Sequence, residues 1–475
     1  MKILLINPSV RLGSKYLLED AISGNLINYL GEFQPLGLLY IAANLRKHGY
    51  SDLSIIDAQA ENLTPAQVAL KVIKLKPDVI GISCVTFSFL YVLELAKAIK
   101  KSSSSFIVLG GPHVGLYPRE VMSQVCFDFG ISGEGEYAFL DLIKILKENN
   151  LPSLEGLAGL IYRRGNQVVV NPPRLIEDID LLPLPARDLL PQEKYFRNYR
   201  ANRFTSLISA RGCPYKCTYC SHVQDYNEIR FSSPAKIIEE IQYCISRFGT
   251  RCFQFFDDTF LLDKARVLEI CRLIKENNLE IDYLISTRVD LLDEELASAL
   301  SFSGCKCVNL GVESADQGVL DYLHKEITVE QSKNAIQLCK RYNMDSVIFI
   351  IIGVPLETEE TIKNTIDFIK ETNPRWLKTN IFVPYPGSPI YEQLIREKKI
   401  TDFWQAMTLS GQPPKIPVVC DNFTKRNLEK ICSRINLMPY LRQKSNFFKF
   451  QRIRNFRNVI WTFRWFLKLV FNLLK

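Results

Sequence analysis

Arg211-Gly212-Cys213-Pro214-Tyr215-Lys216-Cys217-Thr218-Tyr219-Cys220 places three cysteines in CxxxCxxC order. Three thiolates so spaced can hold three irons of a [4Fe-4S] cubane and leave the fourth iron open to a substrate or cofactor. Zinc is the competing reading, but a structural zinc site is closed by four ligands. The fourth would have to be borrowed, and His222 is the nearby candidate. Just before the loop, Thr205 to Ser209 reads as a strand, so the cysteines are expected at a strand's carboxyl end.

Strand-length apolar runs then alternate with helical stretches to about residue 400. Phe253 to Phe256 ends in Asp257-Asp258, Asp282 to Ser286 in Thr287-Arg288, and Val308 to Gly311 in Val312-Glu313. Val347 to Ile352 ends in Gly353-Val354-Pro355, and Lys378 to Val383 in a proline-rich turn. With the cysteine strand this makes six βα units, enough for a partial (β/α)6 barrel. The polar motifs sit at strand carboxyl ends, where barrel enzymes build their sites. Ser233-Pro234 reads as a helix N-cap with proline at the first helical position.

The same alternation opens the chain, with Ile3 to Asn7, Leu53 to Asp57, Val79 to Ser83, Phe106 to Gly110 and Phe129 to Ser132. It predicts a doubly wound, Rossmann-like α/β domain. Ligands in such folds bind beyond the strands' carboxyl ends. The candidate binding residues are therefore Pro8, Ser9, Asp57, Ser83, Thr86, Gly110, Gly111, Pro112, His113, Gly133 and Glu134. Small and hydroxyl-bearing residues there would let a large flat ligand approach the backbone. His113 reads as a loop residue near the ligand, and His48 as a solvent-facing helix end.

Between the two α/β regions the chain turns acidic and proline-rich, from Pro172-Pro173 to Pro183-Leu184-Pro185. Such a run reads as a semi-rigid connector. The expected organisation is a ligand-binding domain over 1–150, a linker over 151–198, the barrel over 199–400, a helical region over 401–445 and a basic amphipathic helix over 446–475. The net charge of +8 is concentrated at the end, where residues 430–475 hold eleven Lys or Arg and no Asp or Glu. The rest is slightly acidic, which argues against a nucleic-acid-coating protein. Wound as a helix, Ile460, Phe463, Leu467, Val470 and Leu474 share one face of the tail, which suits an in-plane membrane anchor. The first residues read as a strand rather than a secretory signal, and thirteen cysteines in an unsecreted chain point to a reducing cytosol.

The cysteine spacing resembles that of the radical S-adenosylmethionine (radical SAM) superfamily. Pro35-Leu36-Gly37-Leu38-Leu39, Gly81 to Ser83, Gly110-Gly111-Pro112-His113 and Gly133-Glu134-Gly135-Glu136 resemble the subgroup with an N-terminal cobalamin-binding domain. The resemblance implies three cofactors: a [4Fe-4S] cluster on Cys213, Cys217 and Cys220, S-adenosylmethionine, and cobalamin. It implies that Tyr219 packs by the adenine and that Asp257-Asp258 receives the methionine amino group. Arg288 would take the carboxylate, Glu313 the ribose, and Gly353 and Pro355 would lie along the adenine. The Asp-x-His-x-x-Gly signature is absent, so no histidine is expected beneath the cobalt. The activity implied is generation of a 5'-deoxyadenosyl radical for methyl transfer to an unactivated centre of a small-molecule or lipid-like substrate. The electron donor would be a flavodoxin or ferredoxin, and the place the cytoplasm, with the tail on the inner face of the membrane. Radical cyclisation or rearrangement is the alternative within enzymes; a cobalamin-binding regulator with a degenerate barrel is the alternative outside them.

Overall fold

A computed structural model of the chain describes residues 1–10, 33–149, 154–195, 204–221 and 228–442. They form two compact units, Met1–Tyr195 with Ile400–Lys415, and Phe196–Lys399 with Ile416–Lys475.

In the first unit, β1 (Ile3–Asn7), β2 (Leu53–Asp57), β3 (Val79–Ser83), β4 (Phe106–Gly110) and β5 (Phe129–Ile131) pair in parallel in the order β2-β1-β3-β4-β5. Ile3, Leu4, Leu5 and Ile6 are all buried, as a parallel strand covered on both faces requires. The covering helices pair, Leu36–Lys47 with Gly135–Glu148 and Pro65–Leu75 with Phe89–Lys100. Thr64 starts the second of these with a capping box to Gln67, and Pro65 occupies the first helical turn. The doubly wound expectation holds.

The linker expectation over 151–198 does not. β6 (Leu160–Arg164) and β7 (Gln167–Val170) form a hairpin that extends the sheet antiparallel from β5. The proline-rich stretch that follows is interrupted by three short 3-10 turns, Ile179–Leu181, Arg187–Leu189 and Gln192–Lys194, and is fastened to the first unit through backbone and side chains. Ala186 N–H donates to Leu39 O at 3.2 Å, the buried Arg187 donates through Nε to Gln34 Oε1 at 3.2 Å, and Tyr195 OH donates to Asp57 Oδ2 at 2.5 Å. The expected 401–445 region divides as well: helix Phe403–Ser410 belongs to the first unit and helix Lys425–Arg442 to the second.

The second unit is built on β8 (Phe204–Leu207), a short hairpin of β9 (Ala210–Arg211) and β10 (Arg230–Phe231), then β11 (Cys252–Phe255), β12 (Asp282–Arg288), β13 (Cys305–Glu313), β14 (Asp345–Ile352) and β15 (Trp376–Ile381). Apart from the hairpin, the strands form one parallel sheet in chain order, β8-β11-β12-β13-β14-β15. Its two edges do not pair with each other, the arrangement of a partial (β/α)6 barrel. Helix Pro234–Phe248 begins on the Ser233 cap, whose hydroxyl accepts from Lys236 N. Edge strand β15 is covered by helix Lys425–Arg442: Thr379 N donates to Asn436 Oδ1 at 2.8 Å, and Asn436 Nδ2 donates back to Thr379 O at 3.1 Å. Among the described residues no helix is long and apolar enough to cross a membrane. The amphipathic segment 446–475 lies outside the described residues.

Candidate cofactor and active site

The cysteine loop runs between β9 and β10, so the short hairpin brackets it. Gly212 enters it at φ +94°, a left-handed conformation that favours glycine. Backbone bonds stitch the loop to its neighbours: Thr218 N donates to Leu323 O at 3.0 Å, Ile390 N to Thr218 O at 2.9 Å, and Cys220 N to Cys217 O at 3.1 Å. Cys213 and Cys217 are half-buried and Cys220 is exposed, and no disulfide ties any of them. As placed, no three His, Cys, Asp or Glu among the described residues are gathered closely enough to hold a metal ion. The donor chemistry nevertheless fits an iron–sulfur cluster: three soft thiols on one short loop, one fewer than a closed site needs. Burial pushes the Cys217 thiol up, while the Lys325 and Arg288 cations pull it the other way. The zinc candidate His222 lies outside the described residues.

Beside the loop is a buried set of three side chains. Lys325 Nζ donates to Glu313 Oε1 at 3.1 Å and to Tyr219 OH at 3.1 Å. Lys325 is 5% and Glu313 7% exposed, so this ion pair is almost out of water. Burial, with Glu313 adding to it, raises the Tyr219 hydroxyl well above its ordinary range. Glu313 ends β13 at φ +64°, a strained backbone for a residue with a side chain, held here by its partners. Gly311 makes the room, since a Cβ there would stand 2.7 Å from Glu313 Oε1 and 2.9 Å from Lys325 Nζ. The family resemblance singles out Tyr219 and Glu313 of this set but not Lys325, because an isolated lysine reads as a solvated charge and only its burial sets it apart.

Arg288 is at the predicted strand end but already engaged. Its Nε and Nη2 donate to the two Asp290 carboxylate oxygens at 3.0 and 3.2 Å, Nη2 also reaches Glu326 O at 3.3 Å, and the guanidinium stacks 3.6 Å over the Tyr215 ring. Nη1 points at Cys217 Sγ, 3.9 Å away. The acidic pair after β11 splits in role. Asp257 is buried and accepts from Ser209 N at 2.6 Å and Ser209 Oγ at 2.5 Å, so it ties two strand ends together. Burial raises its carboxyl against those bonds. Asp258 is the exposed member. Gly353, at φ +82°, packs so closely that a Cβ would meet Leu428 Cδ1 at 2.7 Å, and its N–H donates to Glu357 Oε2 at 3.0 Å. Pro355 is half-buried in the turn that follows.

In the first unit the predicted loops do gather at one edge of the sheet, and the order β2-β1-β3 puts the switch point between β1 and β3. Pro8 and Ser9 follow β1, and Ser9 Oγ donates to Gln59 Oε1 at 3.2 Å. Ser83 and Gly110 end β3 and β4; Thr86 and Gly111 follow them. Gly111 has φ +99° and lies so near β3's exit that a Cβ would strike Cys84 O at 2.7 Å. Pro112 is exposed at the start of the short helix Pro112–Leu116, Gly133 is exposed at φ +80°, and Glu134 accepts from Ile176 N at 2.6 Å.

Two of these residues differ from expectation. Asp57 is consumed by the fold: besides Tyr195, it accepts from Asn7 Nδ2 at 2.9 Å and from the N–H groups of Gln59 and Ala60 at 3.0 Å each. His113 is no loop residue facing a ligand but a helix residue with no exposed surface. Its Nδ1 lies 3.3 Å from Thr86 Oγ1 and its Nε2 3.2 Å from Thr408 Oγ1, with its ring 4.6 Å from that of Phe89. Burial lowers its pKa to about 3. A neutral imidazole occupied on both nitrogens is unavailable to a metal. His48 is exposed at its helix end, as expected. Neutral, small residues at the sheet's open edge, without a histidine to offer, fit a bulky ligand that takes no protein side chain as a metal ligand.

Comparison with known proteins matches these two sites to two families. Residues 207–369 match the radical SAM superfamily, and residues 22–143 match the B12 binding domain. An uncharacterized methyltransferase of Pyrococcus horikoshii is 33% identical over 94% of this chain and 93% of its own. The anaerobic magnesium-protoporphyrin IX monomethyl ester cyclase of Rubrivivax gelatinosus is 30% identical over 85% of this chain and 72% of its own. Among solved structures, a radical S-adenosylmethionine methyltransferase from Kitasatospora setae, determined with cobalamin and a [4Fe-4S] cluster, superposes with a TM-score of 0.66. It shares 17% identity and is matched over 84% of this chain and 75% of its own, so the likeness is one of fold.

Proposed function

This chain belongs to the cobalamin-dependent radical SAM methyltransferase family, and on that premise we propose that it transfers a methyl group to an unactivated centre of a small molecule. The observation that carries the reading is the three-thiol loop held against the buried Lys325–Glu313 pair. When bound, the cluster supplies an electron to S-adenosylmethionine and cobalamin carries the methyl group; the hard chemistry is theirs.

The protein's part is to bind and orient. Cys213, Cys217 and Cys220 would hold the cluster, and three ligands for four irons would leave one position open to S-adenosylmethionine. Arg288 and Lys325 are both candidates for the methionine carboxylate; each already holds a carboxylate, Asp290 for Arg288 and Glu313 for Lys325, that would have to share it. Asp258 is the acidic residue exposed for the amino group, with Asp257 setting the loop behind it. Tyr219 and Glu313 would line the nucleoside, and Gly353 and Pro355 the adenine. Cobalamin would lie across Pro8, Ser9, Ser83, Thr86, Gly110, Gly111, Pro112, Gly133 and Glu134, its cobalt without a histidine from His113. The tail over 446–475 supports a cytoplasmic enzyme resting on the inner membrane surface, and a flavodoxin or ferredoxin is the fitting donor class. The regulatory reading loses its premise, since all six strands and all three cysteines are in place.

The test is anaerobic purification and analysis for iron, sulfide and cobalamin, followed by incubation with methyl-labelled S-adenosylmethionine and candidate substrates. Label in the product supports methyl transfer. Unlabelled product formed with cleavage of S-adenosylmethionine would instead favour the cyclase chemistry of the Rubrivivax relative.

A further inference from the structure

Thr218, the residue after Cys217, is bonded through each of its polar atoms. Its N–H donates to Leu323 O at 3.0 Å, its hydroxyl donates to Tyr322 O at 3.2 Å, and its carbonyl accepts from Ile390 N at 2.9 Å. The partners are helix ends of opposite kind. Tyr322 and Leu323 close helix Gln317–Tyr322, where the last carbonyls have no donor within the helix. Ile390 stands in the first turn of helix Pro389–Arg396, where the first N–H groups have no acceptor within the helix. One residue thus supplies two donors to one terminus and an acceptor to the other. The helices belong to different parts of the barrel, the first following β13 and the second following the edge strand β15. The cysteine loop comes after β8, the opposite edge, so the bond between Thr218 and Ile390 joins segments that leave the two unpaired edges of the sheet. The proline-rich turn after β15 holds its side of this bond in place: Gly387 turns the chain at φ +79°, and Ser388 Oγ donates to Tyr385 O at 2.7 Å and accepts from Tyr391 N at 3.3 Å.

We propose that Thr218 is a positioning residue for S-adenosylmethionine: by holding Tyr322 O, its hydroxyl keeps Tyr219 and Lys325 at the spacing the ligand needs. The inference rests on the radical enzyme reading for the identity of that ligand. Tyr219 follows Thr218, and Lys325 comes two residues after Leu323, so the backbone staple lies directly behind the 3.1 Å contact between the Lys325 ammonium and the Tyr219 hydroxyl. The stretch it holds does not keep its shape by local preference. His324 at φ +46° and Glu326 at φ +54° flank Lys325 in the left-handed region, which residues with a side chain seldom adopt. Ligation of a cluster by the cysteines asks nothing of the Thr218 side chain, whereas the staple asks for a hydroxyl. Serine supplies one; valine, with nearly the same volume, does not.

The test compares Thr218→Val and Thr218→Ser with the wild type, each full-length and reconstituted anaerobically. Iron content, Tm and the dissociation constant of S-adenosylmethionine by equilibrium dialysis are read on the same samples. T218V should bind S-adenosylmethionine at least about fivefold more weakly, the size of one ordinary hydrogen bond, with iron content and Tm close to wild type. T218S should stay within about twofold of the wild-type affinity. Unchanged affinity in T218V, an equal loss in T218S, or a loss of iron with normal affinity in the fraction that keeps its cluster overturns the proposal. Hydrogen exchange on the metal-free proteins reads the staple itself, whether or not T218V takes up a cluster. The amides of residues 317–325 should exchange faster in T218V than in wild type or T218S, and unchanged exchange also overturns the proposal. A wild type that binds no S-adenosylmethionine sinks the radical enzyme reading instead, a result distinct from a wild type and a T218V that bind it equally well.

Discussion

Lys325 and Glu313 form an ion pair at 3.1 Å that is shut away from water, and the same ammonium reaches the hydroxyl of Tyr219, which lies between Cys217 and Cys220 in the loop. Desolvating two charges is expensive, and removing one member of such a pair typically costs about 3–5 kcal/mol because the other is left buried and uncompensated. Lys325→Met should therefore both destabilise the second unit and abolish cleavage of S-adenosylmethionine. Lys325→Met with Glu313→Gln should recover much of the stability and none of the cleavage. A double-mutant cycle in denaturant, run beside the cleavage assay, separates the two effects.

Gly311→Ala tests the same pair without removing a charge. The new methyl would press on the far ends of two flexible side chains rather than on backbone. The fold should survive with a small change in Tm, while KM for S-adenosylmethionine should rise about tenfold or more, the equivalent of ~1.4 kcal/mol. An unchanged KM would mean that the pair does not need its present position.

His113 makes the first unit acid-labile. Its pKa is about 3 in the fold against 6.5 for an ordinary histidine, so the unfolded chain binds the proton more readily between those values. The stability is fully present above about pH 6.5 and is lost as pH falls toward 3, at up to about 1.4 kcal/mol per pH unit. His113→Gln, which can still bond Thr86 and Thr408, should flatten this dependence in chemical denaturation across that range. A slope unaltered by H113Q would assign the acid lability to other groups.

Tyr195→Phe should cost about 1–3 kcal/mol, since it deletes a bond to a buried carboxylate. The Asp57 carboxyl is already raised by burial and is drawn down chiefly by the Tyr195 hydroxyl, so Y195F should raise it further. Urea unfolding of the variant against wild type reads the loss. No change would return residues 171–195 to the status of a semi-rigid connector that owes the first unit nothing.

That last experiment marks where the sequence was hard to read. The strands β1 to β5 and those of the second sheet announce themselves as apolar runs, because a parallel strand is buried on both sides. β6 and β7 carried a signal too, Gly165-Asn166 between two short apolar stretches with Gly165 at φ +58°, but the proline-rich run just beyond dominated the reading. Asp57 and Arg288 stand at the strand ends where the pattern put them, but both are engaged: Arg288 by Asp290, two residues on, and Asp57 by Tyr195, which arrives from far along the chain and is not written in the local pattern. Residues 400–415 read as helical, but nothing local says that they join the first unit. Tyr117 OH donates to Asp402 Oδ1 at 2.9 Å and Gln124 Nε2 to Thr408 O at 2.9 Å, contacts between segments far apart in the chain.

Those contacts set an order of events at the ribosome. Domains ordinarily fold as they emerge, the N-terminal one first. Here the helix Phe403–Ser410, which buries Trp404 and supplies Thr408 to His113, is translated only after every strand of the second sheet. The nascent first unit must wait with His113 uncovered on one side until all six strands of the second sheet are made, and the second waits in turn for helix Lys425–Arg442 to cover β15, so each unit is closed by residues made after the other's strands.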